Sequence, residues 1–495
     1  MTTFHFVSGS FRSLSLFLLA FDPVHKSIHH VQTLSTLGPH QYLATNQHKD
    51  RIFTTTWTEP PSLQSWALTR NDSQPWRLSH LHTVPITAIS SYIDIPPPFT
   101  HIYSVGGPTG EVHLVDEHTN SFGEKTQQVL FIPEEDLPKA DKTRVALRYG
   151  SHGIESTSTP SYSLTFVPVL GTDTIEIYSR DVSSGSLTHL GSSPSPRGPD
   201  AHDGPRHVKV HPNGKILYCV TEHTNIVDLY EITTPLLSIP SLKFISSRSL
   251  LPSHLQRTSP NEFRGDTLML TPATPAHPSP YALFTTTRGR TPATRGWLSI
   301  FAIDENGYFA DGGSPDGRDY HAESIIRYET PSSGGKANAI DLLTKRKVPT
   351  VSRRVLVVGG GGLDEDDENV GDFDDEDNLE TRPYNQVPLQ DQLNTTEFGS
   401  KGDKEEGLWQ EEDQGVWILL TDDDETSAAH ANKLHAIGGV KVLEWGGWGT
   451  RGVHLVAQWP EPIESDNHGD DEYHDSIKTR LHERMIGGSH AVWLV

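Results

Sequence analysis

Pro205-Arg-His-Val-Lys-Val-His-Pro-Asn-Gly-Lys-Ile-Leu-Tyr-Cys-Val-Thr-Glu222 is the stretch whose reading decides the fold. It begins with a short alternating strand. Pro212-Asn213-Gly214 then supplies a tight turn, and a second strand follows that is rich in β-branched and aromatic residues. A hairpin returns the end of its second strand to the level where the first began. Arg206 and Glu222 therefore share one rim of a sheet, where a ligand could meet both.

The second strand of this hairpin recurs along the chain. Copies are Ile52-Phe-Thr-Thr-Thr-Trp57, Leu283-Phe-Thr-Thr-Thr-Arg288 and Val416-Trp-Ile-Leu-Leu-Thr-Asp422, with weaker ones at Ile102 to Gly106 and Phe4 to Ser8. Most are followed by an alternating strand, as at Leu63 to Leu68, Glu111 to Val115, Ile226 to Tyr230, Trp297 to Ile303 and Val440 to Trp445. Repeats a few tens of residues apart, each with several strands, predict an all-β β-propeller rather than a solenoid, whose repeats are shorter and more regular. Phe4 to Ser8 reads as a second strand lacking its first, and Gly487 to Val495 as a first strand lacking its second. Joined, they complete one blade and leave no open sheet edge. The expectation is one propeller domain over residues 1–495.

Two stretches interrupt the repeat. From 344 to 414 the chain carries Gly359 to Gly362, then eleven Asp or Glu between Asp364 and Glu380, then a polar run. Such a composition cannot bury enough apolar surface to fold alone, so it predicts a disordered acidic insertion within one blade, with Arg353 to Val358 as an optional extra strand. The run Asp364-Glu-Asp-Asp-Glu368 lacks the spacing and the glycine of an EF-hand loop. A smaller polar insertion spans 461–483.

The formal charge of −24 disfavours nonspecific contact with nucleic acid or anionic membrane. An anionic ligand would need a local basic pocket. The one cysteine, Cys219, permits no intrachain disulfide and reads as a buried strand residue. Ser13 to Phe21 is the one apolar run that resembles a targeting segment. It is short for a membrane span, and Asp22-Pro23 follows it in place of a small-residue cleavage site, so a strand and a cytoplasmic protein are expected.

Residues preceding the first strands include His40, His152, Arg206, Arg264 or Asp266, Lys336 and His490. Those ending the second strands include Trp57, Glu222, Arg288 and Asp422. All should gather at one mouth of the central channel. His152, Arg206, Glu222 and Arg288 combine two cations, a carboxylate and an imidazole: arginine forks bind carboxylates, and His with Glu can serve as acid and base. No nucleophile elbow, phosphate-cradling loop or zinc spacing is present.

At these residues the chain resembles the seven-bladed propeller lactonase superfamily, and within it the eukaryotic carboxymuconate cyclases, the 3-carboxy-cis,cis-muconate lactonising enzymes. The resemblance rests on Phe4 to Phe11, Ser151-His-Gly153, Pro205-Arg206 through His211-Pro-Asn-Gly214 to Glu222, Thr287-Arg288, Ser333 to Asn338, Trp417 to Asp424, Val442 to Trp445 and Gly488 to Trp493. It implies a cofactor-independent, metal-free cycloisomerase of aromatic catabolism acting on a small polycarboxylate. His152, Glu222 and Arg288 would be catalytic, and Arg206, Arg264, Lys336 and His490 would bind substrate. One departure is that the family's Gly-Gly-His is here Gly334-Gly335-Lys336. A lactone hydrolase resembling 6-phosphogluconolactonase and a non-enzymatic interaction propeller are the alternatives, because one fold hosts many functions.

Overall fold

The computed structural model describes residues 3–71, 74–235, 239–310, 324–345, 415–423, 438–450, 452–461, 485 and 487–495. These strands form seven antiparallel sheets of four strands each. Blade 1 joins Ala491–Trp493 to Phe4–Ser8, Ser15–Asp22 and Ser27–Ser35. The other six follow chain order, with first strands at His40–Thr45, Tyr92–Asp94, Glu155–Ser158, Pro205–Val210, Phe263–Leu270 and Ile340–Thr344 for blades 2 to 7. First strands of neighbouring blades lie against one another around the axis. The molecule is thus a closed seven-bladed β-propeller, as the incomplete terminal units predict. In blade 1, Phe6 pairs with Trp493 and Ser8 with Ala491. The apolar run from Ser13 is the strand Ser15–Asp22. The expected insertions at 344–414 and 461–483, including Arg353 to Val358, fall almost wholly outside the described residues.

The recurring strand is apolar throughout because both of its faces are buried. In Ile216–Thr221, Ile216, Tyr218 and Val220 pack towards blade 6, against Leu268, Leu283 and Phe301. Leu217 and Cys219 point the other way, onto Phe166 and Ile177 of blade 4. Cys219 is therefore a core residue, 1% exposed. The same sandwiching between neighbouring blades repeats around the ring. At the closure, Phe4, Phe6, Phe21 and Trp493 meet Trp417 and Leu419 of blade 7.

Candidate active site

Two bulges build the site, and blade 2 carries a third. In blade 5, Pro205 pairs with Thr221 and His207 with Val220, so Arg206 is an inserted residue without a cross-strand partner. In blade 6 the pairing jumps from Gly265 to Leu268, which frees Asp266 and Thr267. In blade 2 it jumps from His40 to Leu43. A bulge re-aims side chains away from the sheet alternation. Blades 5 and 6 then approach closely. The Gly265 amide donates to Glu222 O at 3.0 Å, and a Cβ on Gly265 would lie 2.1 Å from Thr221 O, so only glycine fits there. The Glu222 amide in turn donates to Gly204 O at 2.7 Å.

Four side chains meet at this junction. Arg206 Nε lies 3.1 Å from Glu222 Oε2, and Arg288 Nη2 lies 3.2 Å from Glu222 Oε1. Arg206 Nη2 is 3.0 Å and Arg288 Nε 2.9 Å from Asp266 Oδ1. Both arginine contacts to Asp266 Oδ1 are ion pairs by distance without hydrogen-bond alignment. Arg206 Nη1 donates to the main-chain carbonyl of Asp266, and Asp266 Oδ2 accepts the Asn338 amide at 2.9 Å. Burial pushes the Glu222 carboxyl up, but Arg288 and Arg206 outweigh it and hold the group at about 2.

His152 lies within the field of Arg206, Glu222 and Arg288. Ser151, its neighbour, bridges Gly107 and Val169, and the His152 amide donates to Pro168 O at 3.2 Å. Burial and the positive field of Arg206 hold its imidazole well below the usual histidine range, so it is neutral near pH 7. Its ring lies 5.3 Å from that of His207, whose Nδ1 is 3.3 Å from Thr267 Oγ1.

The other expected residues are placed less centrally. Arg264 is the cross-strand partner of Arg288 and donates to its neighbour's carbonyl, Phe263 O, at 3.1 Å. Lys336 Nζ lies 3.3 Å from Asp423 Oδ2, a carboxylate that also takes Arg12 Nε at 2.7 Å. His490 is buried against blade 2. Its Nδ1 accepts the Leu43 amide at 3.2 Å, and its ring stacks on Tyr42 at 3.8 Å, which stacks in turn on Tyr92 at 3.9 Å. Lys209, farther along the strand from Arg206, donates to Glu155 Oε2 at 2.7 Å.

The sequence offered Asp266 only as the alternative to Arg264 at the blade 6 rim and gave the binding role to Arg264, and it did not single out His207. The signal available was Arg264-Gly265-Asp266, a glycine between opposite charges at the start of a first strand.

These features define the class: a closed propeller of seven blades with an arginine–carboxylate cluster between blades 5 and 6 and a neutral histidine in its field. The family model described as "Lactonase, 7-bladed beta-propeller" matches residues 6–265, just over half of the chain, and the chain belongs to that family. Muconate cycloisomerase 1 of Cutaneotrichosporon cutaneum is 26% identical over 343 residues, spanning 68% of this chain and 83% of that one. Among solved structures, a putative 6-phosphogluconolactonase from Bacteroides fragilis superposes with a TM-score of 0.55 at 11% identity, covering 99% of this chain and 98% of its own. A periplasmic gluconolactonase from Pseudomonas aeruginosa gives 0.48 at 16% identity, covering 66% and 89%. Among the described residues, no helix is long and apolar enough to cross a membrane.

Proposed function

We propose that this lactonase-family propeller is a cycloisomerase that closes a carboxy-cis,cis-muconate to a muconolactone. The observation that supports the reading is the pairing of Arg206 and Arg288 on Glu222, with His152 in their field, the residue types such a ring closure calls for, in a chain similar to a muconate cycloisomerase. One substrate carboxylate oxygen adds to a conjugated double bond, and negative charge develops on the activating carboxylate as an enolate. Guanidinium groups fixed beside that carboxylate stabilise the charge in a sheltered site. The carbon then takes up one proton, which balances conversion of a carboxylate to an ester. His152 delivers it after the bound polyanion raises its proton affinity, and Glu222 orients the imidazole or acts as the alternate carrier. Ring closure is intramolecular, so positioning supplies much of the rate. In this reading Lys336 and Arg264 bind further carboxylates of the substrate. A buried free thiol, Cys219, fits a reducing compartment such as the cytoplasm.

The test is incubation with 3-carboxy-cis,cis-muconate and, separately, with 6-phosphogluconolactone, with products identified by proton NMR. Ring closure of the first is the expected result. Hydrolysis of the second alone would replace the reading with lactone opening, and inertness towards both would favour an interaction propeller.

A further inference from the structure

The two guanidinium groups of the site are matched by two carboxylates. A buried arginine left without a partner would be costly, and this pairing avoids that cost. An incoming anion must therefore compete with a carboxylate that is already in place.

The two carboxylates are held very differently. Asp266 is 1% exposed in its side chain. It is tied to blade 5 through both Arg206 contacts, to blade 6 through its own strand and to blade 7 through the Asn338 amide. Glu222 is 18% exposed and stands at a strand end. It offers one oxygen to each arginine, and its side chain accepts no other hydrogen bond among the described residues.

We infer that Asp266 is the permanent clamp that spaces Arg206 and Arg288, and that Glu222 is an exchangeable counter-ion which a substrate carboxylate displaces from both. The inference deepens the cyclase reading and rests on its claim that the ligand is a polycarboxylate. The exchange costs little, because one carboxylate replaces another on the same donors. It also selects the ligand. A carboxylate that spans both guanidinium groups can displace Glu222, whereas a neutral ester or lactone carbonyl cannot. Exchange further alters Glu222 itself. On the arginines it is too weak a base to carry protons near neutrality, and released from them it returns towards ordinary carboxylate basicity beside His152.

The probe is tricarballylate, a saturated tricarboxylate that cannot cyclise. Its binding to the wild type and to Glu222→Gln is measured by calorimetry, and the wild-type complex is solved crystallographically. The account expects the Gln variant to bind about tenfold tighter, since no charge-assisted contact has to be broken on entry. In the wild-type complex a ligand carboxylate should contact both Arg206 and Arg288, with Glu222 turned away and Asp266 unmoved. A bound ligand with Glu222 still bridging both arginines would overturn the exchange while leaving the polycarboxylate site standing. Failure of both proteins to bind would overturn the polycarboxylate reading and the exchange with it.

Discussion

Arg288 holds two carboxylates at once, Glu222 at 3.2 Å and Asp266 at 2.9 Å. In Arg288→Ala, Arg206 still pairs with both, so the fold should survive with a modest fall in Tm. Tricarballylate binding should weaken by ~1.5–3 kcal/mol, the size of a lost charge-assisted contact, as read by calorimetry. A residue away from the quartet supplies a pH test. His40 is fully buried with a ring nitrogen 2.9 Å from Gln64 Oε1. Burial lowers its pKa from the ordinary 6.5 to about 4, partly opposed by that bond. Below 6.5 the unfolded chain takes up a proton that the folded one refuses. The stabilising effect of neutral His40 is therefore full above 6.5 and is lost as pH falls towards about 4. His40→Gln should show a smaller fall in Tm between about pH 7.5 and 5 than the wild type. Equal falls would mean that His40 does not contribute to the acid sensitivity.

At the scale of elements, the strands were legible because their pattern is two-sided. Ile216 to Thr221 alternates between two blade interfaces, and such a strand reads as a β-branched and aromatic run wherever it recurs. Blade 4 escaped this reading. Its second strand, Ser163–Val169, contains Pro168, which breaks the recurring pattern, although the Pro168 carbonyl holds the His152 amide. The bulges escaped as well, because an inserted residue leaves no mark in apolar periodicity. Arg206, Glu222, Arg288 and His152 could be picked from the sequence by chemistry and position, but their pairing with Asp266 could not. The loop between blades 4 and 5 carries a further device. Arg197 Nε meets Asp203 at 2.8 Å, and its Nη1 and Nη2 meet the two Asp228 oxygens at 2.9 and 2.6 Å. This pins the turn whose Gly204 carbonyl receives the Glu222 amide. Arg197→Ala should cost about 2 kcal/mol, between the exposed and buried limits for an ion pair, with faster amide exchange across 195–204. Unchanged exchange there would show that the pin does not order the loop.

For the whole molecule, closure depends on a three-residue strand. Trp493 is 1% exposed and packs edge-on against Phe6 at 5.3 Å. Trp493→Ala should lose about 3–5 kcal/mol, as for other large buried aromatics, and deletion of residues 487–495 should destabilise more by opening the ring. Thermal unfolding of both variants checks the order, and a deletion as stable as the wild type would contradict closure by the C-terminal strand. The closed ring sets blades 4, 5 and 6 side by side, and the proposed chemistry rests on their junction. The most direct test is steady-state turnover of 3-carboxy-cis,cis-muconate, followed by loss of diene absorbance, for the wild type and His152→Ala. The account predicts wild-type turnover and a fall in kcat of roughly 10²–10⁴-fold in the variant, with a smaller change in KM. No turnover by the wild type, or turnover that survives the substitution unchanged, would contradict it.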